Sequence, residues 1–288
     1  MVVETKKRDQ IMTPVYTGLA LIAFASNSVI CRLALITGSI DPAGFSIIRL
    51  LSGALVLTLI TSIVKDEKLV SDSGNWLSAC TLFLYVITFS FAYVTLSACT
   101  GALILFGSVQ GTMILTGLVQ DERPKILEIA GLSVALVGLI YLMLPGWEIP
   151  SLRGAILMTT AGVSWGIYSL QGKNEGNPIT VTRGNFTRAI PFALVAIIVY
   201  LTGLNASFSG VFYAFISGAL TSGVGYVVWY AALRGLTVTQ AATIQLLVPI
   251  IATIGGVIFL SEIISLRLVL SSVLILGGVG FSLFAGSH

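Results

Sequence analysis

Apolar runs of about 20 residues, separated by short polar segments, follow one another along the whole chain. An α-helix rises about 1.5 Å per residue, so a run of this length crosses a hydrocarbon core of about 30 Å. The pattern predicts ten membrane spans. They cover about 14–36, 43–64, 76–95, 98–119, 126–144, 152–171, 182–203, 210–232, 238–260 and 266–285. We therefore expect an all-α membrane protein.

A weak internal repeat relates the two halves of the chain. The stretch from Leu96 to Glu122 matches, in register, the stretch from Leu236 to Glu262. Corresponding positions are Ser97 and Thr237, Ile104 and Ile244, Glu122 and Glu262, Val134 and Leu274, and Gly138 and Gly278. The sequence predicts two five-helix repeats, residues 1–147 and 148–288. Because five is odd, they enter the membrane in opposite senses, as inverted repeats do.

Composition supports a membrane protein, since 56% of the residues are hydrophobic and only 9% are charged. Ten of the fifteen basic residues fall on one side of the predicted spans and two on the other. Those on the richer side are Lys6, Lys7, Arg8, Lys65, Lys68, Arg123, Lys125, Lys173, Arg183 and Arg234. Because basic loops stay in the cytoplasm, both termini are predicted to be cytoplasmic. The scattered basic residues indicate no nucleic-acid partner.

Aromatic and uncharged polar residues recur near the middle of several spans. Such groups avoid lipid, where an unpaired donor is costly. Each could serve helix–helix hydrogen bonding, but together they describe a pocket with apolar walls and a few polar groups. The candidate substrate-binding residues are Asn27, Tyr85, Tyr93, Ser108, Gln110, Trp165, Tyr168, Tyr226, Trp229, Thr243 and Gln245. Pro191 and Pro249 could also leave backbone carbonyls for a substrate ammonium.

Two arginines lie about six residues inside predicted spans, Arg49 from the outer side and Arg188 from the inner side. Both could extend to the nearest interface, as long basic side chains do. The alternative is that they pair with a substrate carboxylate.

Glycines are frequent in the fourth and tenth predicted spans, where small residues let helix backbones approach closely. They are Gly101, Gly107, Gly111, Gly117, Gly277, Gly278 and Gly280.

One motif carries enzyme chemistry. Gly162-Val163-Ser164-Trp165-Gly166 matches the Gly-x-Ser-x-Gly pattern of serine hydrolases. That nucleophile needs a base beside it, and the sole histidine is the last residue, His288. The sequence also has no phosphate-binding loop and no metal-ligand spacing. We therefore expect no enzyme activity, no cofactor and no metal.

The acidic residues bear on energy coupling. Carriers driven by protons commonly place an acid or a histidine deep in the membrane. None of the twelve acids here reaches the centre of a predicted span, and Glu128 comes nearest, in the first turn of the fifth span. The sequence predicts alternating access with facilitated diffusion of the substrate.

The chain resembles the drug/metabolite transporter superfamily, in its ten-helix branch with two EamA-type repeats. The resemblance covers essentially all of it and rests on four segments. They are Asp41-Pro42 to Arg49, Ser164-Trp165-Gly166, Trp229-Tyr230-Ala231-Ala232-Leu233, and Pro249 through Glu262. Two features depart from the pattern: Ala25-Ser26-Asn27 replaces a common Trp-Gly, and the fourth span lacks a common proline. The resemblance implies a substrate cavity between the repeats and location in a bacterial inner membrane.

Within the superfamily the chain is most similar to bacterial exporters of aromatic and other neutral amino acids. A sugar-phosphate or nucleotide-sugar exchanger is the alternative, but that substrate would require several basic residues at depth. An intramembrane hydrolase using Ser164 and a membrane scaffold without transport are further alternatives. The expected partners are a small-molecule substrate and the lipid bilayer. The sequence leaves the oligomeric state open, a monomer included.

Overall fold

The computed structural model describes residues 2–64, 73–96, 98–119, 125–143, 151–173, 175–200, 205–260 and 266–286, and these are almost entirely helical. The helices are α1 (Val2–Ile36), α2 (Pro42–Val64), α3 (Trp76–Thr95), α4 (Ala98–Val119), α5 (Ile126–Met143), α6 (Leu152–Lys173), α7 (Pro178–Tyr200), α8 (Phe208–Ile216), α9 (Gly225–Leu233), α10 (Val238–Ile244), α11 (Leu247–Leu260) and α12 (Leu266–Gly286). A π-helical segment, Ser217–Val224, joins α8 to α9.

The outside of the helices is apolar. Phe208 is 89% exposed, Val119 84% and Ile126 83%, as expected of side chains that face lipid. Within the described ranges, five segments are long and apolar enough to cross a bilayer, namely Met12–Ile36, Pro42–Ile63, Trp76–Tyr93, Phe208–Leu233 and Val238–Phe259. Shorter apolar helical segments are Ile104–Gly117, Ile126–Gly138 and Val273–Ser282. The predicted class, a helical membrane protein, is confirmed.

Most predicted span boundaries lie within two residues of the helices, and the larger differences have local causes. The first helix begins at Val2 rather than near 14. The seventh begins at Pro178 rather than near 182, because proline suits the first position of a helix. The eighth predicted span contains the π-helical segment, and the ninth is interrupted between α10 and α11.

Glycines bring α5 and α12 into direct backbone contact. A Cβ on Gly278 would lie 2.5 Å from the Ala135 nitrogen and 2.6 Å from the Gly131 oxygen. The predicted close approach is therefore correct at Gly278. It is wrong at four other glycines, where a Cβ would meet nothing within 4 Å and the helix faces open space. These are Gly107, Gly111, Gly277 and Gly280.

Polar contacts join the two halves of the chain at one end of the molecule. Ile40 and Ala206 form an isolated antiparallel bridge. Beside it, Asp41 and Asn205 form two hydrogen bonds, both at 2.9 Å: the Asp41 N–H donates to the Asn205 carbonyl, and the Asn205 N–H donates to Oδ2 of the Asp41 side chain. We call this contact the bridge latch.

A second set of contacts joins the halves at the opposite end. The Asn75 N–H donates to Asn185 Oδ1 at 3.1 Å, and the Asn75 side chain donates to Glu175 Oε1 at 3.1 Å. One turn further along α3, Ser78 Oγ donates to Gln171 Oε1 at 2.5 Å. We call Asn75, Gln171 and Asn185 the amide cluster. The functional site described next lies between the bridge latch and the amide cluster.

Candidate functional site

Trp165 on α6 lies at the centre of an aromatic cluster. Its ring centroid is 4.7 Å from Tyr226, 5.0 Å from Tyr85, 5.1 Å from Phe24 and 5.6 Å from Tyr168. All five side chains are buried. Because α1, α3, α6 and α9 each contribute, the cluster connects helices from both halves of the chain. Rings at these distances pack directly on one another and form one continuous apolar cluster.

Gln245 fixes the Trp165 indole at the interruption between α10 and α11. The indole N–H donates to Gln245 Oε1 at 2.8 Å, and the amide nitrogen donates to the Ala241 carbonyl and to Met113 Sδ. Pro249 has no N–H for the Gln245 carbonyl, which accepts from the Val248 N–H instead at 3.0 Å. The interruption therefore follows from Pro249, and it places the Gln245 side chain against the aromatic cluster.

Arg49 on α2 is fully buried, with 0% exposure. Its Nε donates to Ser222 Oγ at 2.7 Å, and its Nη2 donates to the hydroxyls of Tyr226 at 2.6 Å and Tyr85 at 3.3 Å. The guanidinium carbon also lies 5.2 Å from the Tyr85 ring centroid, within range of a cation–π interaction. Its Nη1 makes no hydrogen bond. Within the described ranges, no carboxylate pairs with this charge.

The π-helical segment carries the Ser222 hydroxyl that meets Arg49, and Tyr226 follows it in the first turn of α9. The segment lies so close to α2 that a Cβ on Gly218 would meet the Arg49 carbonyl at 2.1 Å. On its other side, Ser217 and Thr221 both donate to Asn27 Oδ1, at 2.5 and 3.2 Å. π-helical turns are rare and frequently occur at functional sites.

The amide cluster contains several polar atoms without partners. Gln171 and Asn185 accept hydrogen bonds through their oxygens, yet both amide nitrogens are buried and unbonded. The Tyr168 hydroxyl and Ser73 Oγ are likewise buried without a hydrogen bond. All four atoms can donate. This end of the interior thus holds buried donors without an acceptor at hydrogen-bond geometry among the described residues.

The other predicted site residues form hydrogen bonds or ring contacts of their own, except Gln110. Trp229 donates its indole N–H to a serine on α6, and Tyr93 stacks edge-on against a phenylalanine one turn earlier in α3. Ser108 and Thr243 donate to carbonyls one turn earlier in their own helices. Gln110 is buried, and neither its amide oxygen nor its nitrogen makes a hydrogen bond.

Phe24 and Ser222 were not among the predicted site residues, and Arg49 was predicted to meet a substrate carboxylate only as the alternative interpretation. The interpretation of Arg49 as a side chain that extends to the interface is wrong, because it is wholly enclosed. The sequence did carry a signal for a substrate-binding role of Arg49. No predicted span contains an acid that could pair with it, so its charge needs a partner from elsewhere. Phe24 and Ser222 carry no signal that separates them from other apolar and small residues.

The Gly-x-Ser-x-Gly motif serves helix packing. Gly162 and Gly166 lie within α6 and receive α4, since a Cβ on Gly162 would lie 2.4 Å from the Leu105 oxygen. The nucleophile elbow of hydrolases is a strand-to-helix turn, whereas Ser164 is buried inside a continuous helix.

Three proteins similar to this chain are named as uncharacterized transporters. Residues 152–284 match the EamA-like transporter family. An uncharacterized protein of Pseudomonas aeruginosa is 44% identical, with 94% of each chain covered. The uncharacterized transporter YoaV of Bacillus subtilis is 24% identical, with 86% of this chain and 89% of YoaV covered. A crystal structure with 15% identity has the same fold, with a TM-score of 0.77 over 96% of this chain and 99% of that one. The chain belongs to the EamA-like transporter family.

Proposed function

We propose that this protein transports small molecules that carry one carboxylate on an aromatic or apolar body. The observation behind the proposal is the Arg49 guanidinium, fully buried, with one unbonded nitrogen and a wall of aromatic rings beside it. A buried charge without a partner is costly, and a substrate carboxylate would supply the partner. Aromatic and neutral amino acids belong to this class, and the resemblance to amino-acid exporters favours export.

The number of buried cations argues against a sugar-phosphate or nucleotide-sugar substrate. A phosphate group carries more charge than a carboxylate and is usually held by several arginines or lysines. Among the described residues, Arg49 is the only basic side chain that is fully buried. One guanidinium matches one carboxylate.

We propose ten spans in two inverted five-helix repeats, residues 1–147 and 148–288. Local hydrogen bonds support this arrangement. Ser46 donates to the Pro42 carbonyl at the start of α2, and Thr182 donates to the Pro178 carbonyl at the start of α7, both at 2.7 Å. When Pro178 is aligned with Pro42, Asn185 of the second repeat corresponds to Arg49 of the first, since each lies seven residues after its proline. The amide cluster then becomes the counterpart, in the second repeat, of the arginine site in the first.

The proposed mechanism is alternating access by facilitated diffusion, without a cofactor, in a bacterial inner membrane with both termini in the cytoplasm. The bridge latch and the amide cluster would open in turn, each exposing the aromatic cluster to one side. Both are polar contacts between the two proposed repeats, so water can replace them when either end opens.

We propose that the substrate binds at Arg49 and at the binding residues predicted from the sequence. These are Asn27, Tyr85, Tyr93, Ser108, Gln110, Trp165, Tyr168, Tyr226, Trp229, Thr243 and Gln245. The members closest to Arg49 are Tyr85 and Tyr226, which bond the guanidinium directly. Trp165 packs on both of these rings.

Transport by purified protein in liposomes tests the proposal. Radiolabelled phenylalanine and phenylpyruvate carry the required carboxylate, and phenylalaninamide lacks it. We expect saturable uptake of at least one carboxylate and none of the amide. Arg49→Gln should reduce that uptake by about 10- to 100-fold, because a charge-assisted hydrogen bond contributes about 1.5–3 kcal/mol.

The matched control is Arg153→Gln, which removes an arginine from an exposed position on α6. It should transport as the native protein does. Saturable uptake of the amide alone, or undiminished carboxylate uptake by folded Arg49→Gln, would contradict the proposal.

A further inference from the structure

The charge of the buried site is positive and unbalanced. Arg49 has hydroxyl and aromatic partners but no carboxylate among the residues the structure describes. The buried acid in those ranges, Glu128, lies in the first turn of α5, where its side chain accepts the Lys125 backbone N–H at 2.7 Å. The sequence places every other acid in the terminal tail, in loops or at the ends of predicted spans.

The buried polar atoms without a hydrogen bond are mostly donors, which, like the positive charge, favours an anionic ligand. Among the described residues, all but one of them can donate a hydrogen bond, and the exception, Gln110 Oε1, is purely an acceptor. The donors are Arg49 Nη1, Ser73 Oγ, Gln110 Nε2, Tyr168 OH, Gln171 Nε2 and Asn185 Nδ2. An ammonium group is itself a triple donor and accepts nothing. Four of these six donors, on Arg49, Gln110, Gln171 and Asn185, cannot accept a hydrogen bond, so acceptor groups of a ligand find more partners among these atoms than an ammonium does.

The backbone does not supply the missing acceptors at the prolines where they were expected. The carbonyl freed by Pro249 accepts the Val248 N–H, and the Pro249 carbonyl accepts Thr253 Oγ1 at 2.7 Å. The Ala241 carbonyl accepts the Gln245 amide. Pro191 is exposed on α7.

We infer that the substrates are aromatic carboxylates without an ammonium group, carried as monoanions. This inference rests on the proposed carboxylate transport and narrows it. A substrate carboxylate at Arg49 makes the loaded site neutral and gives the unbonded Nη1 an acceptor. An amino-acid zwitterion would satisfy Arg49 but bring a second cation into a site without an acid.

Net charge then gives transport a direction. Each monoanion that leaves the cell carries one negative charge out of a compartment whose potential is negative. A potential of 100 mV supports a concentration ratio of about 50-fold for a single charge at equilibrium. A zwitterion gains nothing from the same potential. Outward transport thus needs neither a bound proton nor a bound sodium ion.

The experiment compares phenylpyruvate with phenylalanine in proteoliposomes under a potassium diffusion potential set with valinomycin. The two molecules share the carboxylate and the ring and differ in the ammonium. We expect phenylpyruvate to accumulate in the compartment that is positive, to reverse when the potential is reversed, and to enter at least tenfold faster than phenylalanine. Protein-free liposomes give the leak, and Arg153→Gln should behave as the native protein does.

The outcomes separate the two proposals. Equal or faster uptake of phenylalanine, or phenylpyruvate flux that ignores the potential, overturns this inference and leaves carboxylate transport standing. Absence of uptake of both carboxylates overturns the proposed function itself. The native protein alone decides these outcomes, so they do not depend on the folding of an Arg49 variant.

Discussion

At the scale of the residue, the sequence shows that Arg49 is a charge within a predicted span, but it does not predict the side chains that surround it. It lies seven residues after Pro42, about 10 Å along α2, a depth from which an arginine can still extend to the interface. The chain encloses it because Tyr85 of α3, Ser222 of the π-helical segment and Tyr226 of α9 offer hydroxyls. Those partners are 36 to 177 positions away along the sequence, so no local pattern announces them.

The hydrogen bond between Trp165 and Gln245 gives a prediction at this scale. Trp165→Phe keeps an aromatic ring but removes the indole N–H, which leaves Gln245 Oε1 buried and unpaired. We expect a loss of about 1–3 kcal/mol in stability and a transport rate several-fold lower. Thermal unfolding in detergent and proteoliposome uptake measure the two effects.

Trp76→Phe is the control, since Trp76 is 59% exposed at the start of α3. It should change neither quantity. If Trp165→Phe matches the native protein in both, the indole hydrogen bond has no part in the site.

At the scale of the element, the helix ends were predictable and the irregular turns only in part. Pro249 signals the interruption near Gln245 in the sequence. The π-helical segment has no comparable signal, because its run of small residues also fits an ordinary α-helix. Its geometry depends on tertiary contacts, namely the close approach of Gly218 to the Arg49 carbonyl and the bonds to Asn27. The glycines of the fourth and tenth predicted spans show the same limit, since only neighbouring helices decide which of them are buried.

The contact between α5 and α12 gives a prediction for this scale. Gly278→Ala places a methyl 2.5 Å from the Ala135 backbone nitrogen, so the helices must separate. We expect a loss of about 1–3 kcal/mol from overpacking, seen as a lower midpoint of thermal unfolding. Gly277→Ala is the adjacent control, where the methyl meets nothing within 4 Å and should be neutral or slightly stabilising. Equal effects of the two substitutions would show that α5 and α12 do not pack in this way.

At the scale of the whole molecule, the length of the apolar runs and the charge of the loops give most of what the sequence predicts about the fold and its orientation. Apolar runs of bilayer length predict the helices, and the motifs from Asp41 to Arg49 and from Pro249 to Glu262 indicate the family. The sequence does not reveal that both ends of the interior are joined by polar contacts, because these pair residues from opposite halves of the chain. Asn205 with Asp41 and Asn185 with Asn75 are examples.

The proposed orientation is testable with single cysteines in a background that lacks the native three. A cysteine at Asn205, exposed beside the bridge latch, should react with an impermeant thiol reagent added to intact cells. A cysteine at Asn177, exposed beside the amide cluster, should react only after the cells are opened. The reverse pattern would show that the termini lie outside.

The uncompensated charge of Arg49 has a kinetic consequence. When a carrier reorients without substrate, the bare guanidinium must pass through the occluded state with no anion beside it. With substrate bound, the same passage involves a neutral ion pair. The empty carrier should therefore return more slowly than the loaded one, and substrate on the far side should accelerate efflux. A protein built in this way exchanges one anion for another faster than it releases them one at a time.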